Sequence, residues 1–357
     1  MSPREMIMVG VMPPAVAAVV ATVLWRMWRR GARVAEWDAG HRMGAGVALG
    51  IVVAGAAAME VGWPTWPPTP AREMFFYAAC LGLLAAVGEA LPNPGRVAKL
   101  RWARWPPRMV VCAAAAGGST WWKARTGEWS GGELAMWIAG IALVMSGVWL
   151  GLERLSGAEQ TRRGTDAGGT VVRVHERSRG DGTARRARDL LVWAGPVLVV
   201  TLGSVPVLLF GAATTTGPKL AGAMAGAAAA IGAAALVCAR GAASGRGAGD
   251  LMSSGNGVLA VCLVTLWAQG ALWGELESHV PGLLMAVGVG AAVWVSEWKW
   301  WDSSPERNGE EHRFASGRVA REWLCVAAVT LAAAVPVVIA VAMVLASADM
   351  KEYRELM

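Results

Sequence analysis

Long apolar runs separated by basic segments constrain the fold of this 357-residue chain more than any other feature. Hydrophobic residues make up 55% of the sequence and charged residues 17%, whereas charged residues make up roughly 25% of a soluble globular domain. The mean hydropathy is +0.42. Backbone N–H and C=O groups need hydrogen bonds inside hydrocarbon, so such chains cross a membrane as helices. The composition therefore predicts an all-α fold, a polytopic transmembrane helical bundle.

Ten apolar runs are interpreted as membrane spans, because about 20 apolar residues cross the hydrocarbon layer. The five in the first half cover approximately residues 6–25, 43–61, 74–91, 109–122 and 134–152. The five in the second half cover approximately residues 190–211, 220–239, 258–273, 283–298 and 324–345. The fourth run is short, which leaves open a re-entrant segment in place of a full span.

The longest segment without an apolar run divides the chain into two halves of similar size. We interpret residues 1–152 as an N-terminal five-span membrane half and residues 153–189 as a basic cytosolic loop. Residues 190–357 then form a C-terminal five-span membrane half. The loop contains nine arginines, and low hydrophobicity with many Gly, Arg and Asp residues favours a solvated linker.

The basic residues predict how the spans are oriented. With the spans above, 26 of the 33 basic residues fall in the five loops on one side of the membrane. Loops rich in Lys and Arg stay in the cytoplasm, so both termini are predicted to lie outside the cytosol. The abundant Ala, Gly and Arg fit a GC-rich bacterial genome, and we expect a bacterial inner (cytoplasmic) membrane. The net charge of +7 follows from these loops and does not indicate nucleic-acid binding.

The 20 tryptophans indicate the same partner, the lipid bilayer. Most of them lie at the ends of spans, including Trp63, Trp66, Trp121, Trp122 and Trp298. Indole rings prefer the headgroup level of a membrane, so we interpret these residues as interface anchors. The arginines of the cytosolic loops are expected to contact anionic lipid headgroups.

No sequence pattern indicates a metal or a cofactor. The five cysteines are widely separated, each falls in an apolar run, and no CxxC pair exists. The four histidines lie in loops or at span ends without an HExxH motif. Zinc and redox sites need closely spaced ligands, so we expect neither metal nor cofactor.

Polar residues and helix breakers inside the spans are the candidates for a transport path. Interrupted helices at matching positions of two inverted halves are typical of secondary transporters. Spans one and six both contain prolines, and ionisable or amide side chains occur near three other span ends. The candidates are Pro13, Pro14, Pro196, Pro206, Glu60, Glu89 and Gln269.

One motif points to catalysis. Gly245, Gly247, Gly249 and Asp250 form a GxGxGD sequence before the eighth span, and Asp189 precedes the sixth. This arrangement resembles the prepilin peptidases, membrane aspartic proteases in which two aspartates bracket two spans. The resemblance implies that Asp189 and Asp250 share a proton and activate water. In this chain Met252 stands where that family usually has Lys.

Three functions follow from these observations. The sparse polar content of the spans favours a structural or assembly membrane protein without a catalytic site. The prolines of spans one and six favour a secondary transporter, whose halves would be related by a two-fold axis in the membrane plane. The GxGxGD motif favours a membrane aspartic peptidase.

The peptidase hypothesis predicts the effect of one substitution. Asp250→Asn removes a carboxylate that the paired mechanism requires, so it should abolish cleavage of a co-expressed prepilin substrate. The measurement is the fraction of substrate processed in membranes, with Asp166→Asn in the central loop as the control. Unchanged processing with Asp250→Asn, or no processing by the native chain, contradicts the hypothesis.

Overall fold

The structure, a computed structural model, describes most of seven helices and part of the C-terminal region. The described residues are 16–17, 37–65, 73–90, 105–155, 216–240, 255–273, 280–296, 324, 327–329, 331–339 and 342. Within these ranges the chain is helical, with short turns and no strand, which confirms the all-α class for this part of the chain. Span six and nearly all of span one lie outside them.

The helices follow the predicted apolar runs. They are α1 (Trp37–Val61), α2 (Met74–Ala90), α3 (Trp105–Arg125), α4 (Gly131–Leu155), α5 (Thr216–Arg240), α6 (Gly255–Trp273) and α7 (Val280–Ser296). Residues 327–329 and 331–339 are also helical. Every charged residue of α1–α7 lies in the first or last two turns of its helix.

Helix α6 occupies the centre of the described part. It contacts each of the other six helices, and residues 255–268 are all buried. It contains no charged residue, and its apolar side chains point in all directions. A helix that is apolar all round is stable only when neighbours or lipid cover it. The other helices therefore pack around α6.

Glycines allow close packing against this central helix. A Cβ added at Gly82 of α2 would lie 2.9 Å from the Cα of Val258 in α6. A Cβ added at Gly257 of α6 would lie 2.5 Å from Cζ2 of Trp149 in α4. Glycine at position 82 lets the backbones of α2 and α6 come close together, and glycine at position 257 lets the Trp149 ring come close to α6. A larger residue at either position would prevent this close approach. Small residues serve this purpose in packed membrane helices.

Two described helices are long and apolar enough to cross a membrane. They are α4, with a mean hydropathy of 1.9, and Gly255–Leu272 of α6, with a mean hydropathy of 1.4. Gly46–Val61, Met74–Gly88 and Lys219–Ile231 are apolar but shorter. Buried helices of soluble proteins can pass the same test, and α6 is 78% buried. The two helices suggest membrane association only weakly, and the ten spans stay a prediction.

Several helices extend beyond the apolar runs, most notably at the short fourth run. Helix α3 begins at Trp105 and continues for 21 residues, so Arg108, which the sequence placed in a loop, lies inside a helix. Pro106 and Pro107 fit its first turn, where the backbone N–H has no helical partner. Helix α4 likewise continues to Leu155. Hydropathy detects only the apolar middle of a helix, and polar end turns are missed.

The packing of α2 against α6 can be tested with Gly82→Ala. The new methyl group would meet backbone at 2.9 Å, which cannot move aside like a side chain, so we expect a loss of about 1–3 kcal/mol of stability. The measurement is thermal unfolding of the detergent-solubilised protein. The control is Gly140→Ala, because a Cβ there meets nothing within 4 Å. Equal unfolding temperatures for the two variants would contradict the close approach.

Candidate functional site

The most strongly polar buried contact in the described residues is an ion pair between α3 and α4. Arg108 Nη1 donates to Glu153 Oε2 at 2.8 Å, and Nη2 donates to Oε1 at 2.5 Å. Arg108 is 9% exposed and Glu153 is 8% exposed. Two parallel N–H···O bonds match the planar guanidinium to the carboxylate, the strongest geometry for such a pair. The pair fixes the start of α3 to the end of α4.

Trp149 connects this ion pair to the central helix. The Arg108 guanidinium lies 5.1 Å from the centroid of the Trp149 ring, a distance typical of a cation–π contact. Atoms Cζ2 and Cη2 of the same ring lie against Gly257 in the first turn of α6. Asn256, which is fully buried, lies beside it in the chain. We refer to Arg108, Trp149, Glu153, Asn256 and Gly257 as the polar junction.

The local sequence explains why these side chains meet. Arg108 lies in the first turn of α3 and Glu153 in the last turn of α4, so both are at the ends of these helices away from the turn that joins them. Two antiparallel helices joined by a short turn bring such positions to the same level. Trp149 and Glu153 are four residues apart, on the same face of α4. One guanidinium can therefore contact both side chains.

A second ion pair lies at the opposite ends of the helices. Lys219 Nζ, at the start of α5, donates to Glu60 Oε1, at the end of α1, at 2.7 Å. Nearby, Thr65 Oγ1 donates to Glu73 Oε2 at 3.0 Å, and the Tyr77 hydroxyl donates to the Thr65 carbonyl oxygen at 2.6 Å. These contacts fix the ends of α1, α2 and α5. Between the two ion pairs the buried side chains of the described helices are mostly apolar, and the polar ones there, such as Ser146 and Thr265, carry no charge.

The polar junction is suited to holding helices together. Its carboxylate accepts two hydrogen bonds from a guanidinium, so the charges of Arg108 and Glu153 balance. A general acid or base needs a carboxyl group that exchanges a proton with a substrate. Glu153 is instead held in a buried bidentate pair. The arrangement is that of a structural contact among α3, α4 and α6.

Only some of the predicted site residues lie in the part of the chain that the structure describes. Pro13, Pro14, Pro196, Pro206, Asp189 and Asp250 lie outside the described residues, so neither the catalytic pair nor the proline positions can be located. The side chain of Glu89 is also outside them. Glu60 pairs with Lys219, and Gln269 is partly buried in the last turns of α6. The described structure does not bring Glu60 together with Gln269 in a common contact.

The sequence interpretation missed the ion pair itself. It placed Arg108 in one basic loop because this residue precedes the fourth apolar run. It placed Glu153 at the start of another loop because this residue follows the fifth run. Their places at the two ends of one helical hairpin away from its turn were the available signal. The sequence interpretation selected Glu60 and Glu89 because they lie near span ends. It did not select Glu153, which is bonded to Arg108 of the neighbouring helix.

Two further observations concern ligands and relatives. In the described part of the chain, no group of three or more His, Cys, Asp or Glu side chains could hold a metal ion. Comparisons with protein families, with curated proteins and with solved structures found no match to this chain. The interpretation of the polar junction therefore depends on its geometry.

Substitutions of the ion pair should behave as a coupled set. Glu153→Leu leaves the Arg108 charge buried without its counter-charge, and Arg108→Met does the same to Glu153, so we expect each single substitution to lose about 3 kcal/mol of stability. Arg108→Met combined with Glu153→Leu removes both charges and should lose less than either single substitution. The measurement is thermal or denaturant unfolding in detergent.

The control for this series is Lys123→Gln. It breaks the solvent-exposed pair of Lys123 with Glu128, and pairs of that kind contribute little to stability. If the double substitution loses the sum of the two single losses, Arg108 and Glu153 do not stabilise each other and the geometry described above is contradicted.

Proposed function

We propose that this chain is a multi-pass integral membrane protein of about ten spans with a structural or assembly role and no catalytic site. It would lie in a bacterial inner membrane with both termini outside the cytosol. The observation that carries the proposal is the apolar packing around α6, together with charged residues confined to helix ends. Charged groups at helix ends reach water or headgroups, whereas charges at mid-membrane are costly.

The directions of the helices support the membrane part of this proposal. The ends of α3, α4 and α6 that meet in the polar junction are the ends that the basic loops assign to the cytosolic side. The ends of α1 and α5 that meet in the Glu60–Lys219 pair are assigned to the other side. The contacts among these helices therefore agree with an alternation of spans across a bilayer.

The packing supports a structural role over transport. Inverted halves would pair α1 with α5, α2 with α6 and α3 with α7, so α5 should pack on α6 as α1 packs on α2. In the described helices, α1 and α2 share a large interface, whereas α5 and α6 share a small one. The interface of α2 with α3 is likewise larger than that of α6 with α7. These differences do not fit a two-fold relation.

The transport alternative is tested by the accessibility of Cys262. This side chain is fully buried in the middle third of α6, and a solute path through the bundle would bring water to it. The variant retains Cys262 and carries Ala at Cys80, Cys112, Cys238 and Cys325. Membranes are treated with a membrane-impermeant methanethiosulfonate reagent, and remaining thiols are counted with a maleimide polymer after denaturation.

We expect Cys262 to stay unmodified in native membranes and to react fully after denaturation. A matched control places Thr126→Cys, in the exposed turn between α3 and α4, in the cysteine-free background, where it should react at once. Modification of Cys262 in native membranes would overturn the structural role and favour a transporter. Extraction of the chain from membranes by alkaline carbonate would overturn membrane integration itself.

A further inference from the structure

The turn between α3 and α4 has an ordered structure that its sequence explains. We refer to residues 121–137 as the hairpin tip. Gly127 has a φ of 70°, which glycine adopts without strain. Its N–H donates to the Ala124 carbonyl oxygen at 3.3 Å and ends α3. The Ser130 N–H and hydroxyl donate to Glu133 Oε2 at 2.8 and 2.9 Å. In return, the Glu133 N–H donates to Ser130 Oγ at 3.3 Å. These reciprocal hydrogen bonds form a capping box at the start of α4.

Four tryptophans surround this turn. The rings of Trp129 and Trp137 are stacked, with centroids 5.5 Å apart and an angle of 8° between their planes. Trp121 is 47% exposed, and Trp122 lies 6.0 Å from the Arg125 guanidinium. Trp122, Trp129 and Trp137 are half-buried, and Trp137 packs partly against the apolar core. Indole rings that are partly exposed suit the layer between water and hydrocarbon. This clustering indicates a membrane interface.

The charges of the hairpin tip balance. Its cations are Lys123 and Arg125, and its anions are Glu128 and Glu133. The hydrogen bond from Lys123 holds the pKa of Glu128 below its usual value, so this carboxylate is ionised at neutral pH. The tip thus has no net charge, unlike the arginine-rich segments at the other ends of α3 and α4. A neutral surface has no electrostatic preference for anionic headgroups.

We propose that the hairpin tip is a charge-balanced aromatic anchor that binds the interfacial layer of a zwitterionic phospholipid bilayer. This inference rests on the membrane integration proposed above. If Gly131 lies at the outer edge of the headgroup layer, Trp137 lies about 9 Å deeper along the axis of α4. The headgroup layer is about 5–8 Å thick on each side. The stacked indoles therefore lie at the boundary between headgroups and hydrocarbon and fix the depth of the α3–α4 hairpin.

The test measures the depth of the tip in the full-length chain. A nitroxide label is attached to Gly132→Cys in the cysteine-free background, since a side chain at Gly132 meets nothing within 4 Å. The protein is reconstituted in phosphatidylcholine vesicles. Collision rates of the label with oxygen and with a water-soluble nickel chelate give its depth by electron paramagnetic resonance.

We expect the label at the headgroup level. Trp129→Ala combined with Trp137→Ala should raise the collision rate with the nickel chelate by about twofold, because the interfacial anchors are lost. Trp294→Ala, which removes a ring of the same size that is 65% exposed on α7, should leave the rate unchanged. Replacing part of the phosphatidylcholine by anionic phosphatidylglycerol should also leave the depth unchanged.

Three results would overturn the anchor. They are a label in bulk water in the native chain, an unchanged rate when both tryptophans are removed, and a tip that moves inward with anionic lipid. Alkaline carbonate extraction of the same preparation separates this inference from the proposed function. A chain that stays in the membrane with its tip in bulk water contradicts only the anchor, whereas a chain that is extracted contradicts membrane integration.

Discussion

The structure depends on covering a helix that has no polar face. Helix α6 contains no charged residue and is apolar on every side, so each exposed turn would leave hydrocarbon against water. Six helices contact it. Gly82 lets the backbone of α2 pack closely against α6, and Gly257 lets the Trp149 ring do the same. The two ion pairs between helices in the described residues occur where the covering helices end. The separation of an apolar middle from polar ends follows from this one requirement.

The buried ion pair contributes specificity more than stability. Desolvation of Arg108 and Glu153 costs free energy that their attraction offsets only with good geometry, and apolar side chains of similar volume often serve as well. Their value lies in register, because a guanidinium bonded twice to one carboxylate tolerates no sliding of α3 along α4. The contact with Trp149 extends that register to α6.

Sequence patterns predicted the helices better than the contacts between them. Apolar runs identified all seven described helices, because burial and hydrogen bonding force a long apolar segment to be helical. The ends were less accurate, and Arg108 was assigned to a loop because hydropathy detects the apolar middle of a helix and misses its polar end turns. Trp149 was missed because its role depends on Gly257, more than a hundred residues later in the chain. Contacts of that range leave no local pattern.

The central position of α6 also affects the order in which the helices can pack during synthesis. The ribosome completes α1–α4 before it begins α6, and 99 residues lie between Leu155 and Gly255. At about 5–20 residues per second, roughly 5–20 s pass before the central helix is made. Throughout that interval the side chains of α1–α4 that contact α6 in the folded chain lack this partner. An architecture with a late central helix therefore delays the burial of its first four helices until the second half of the chain is made.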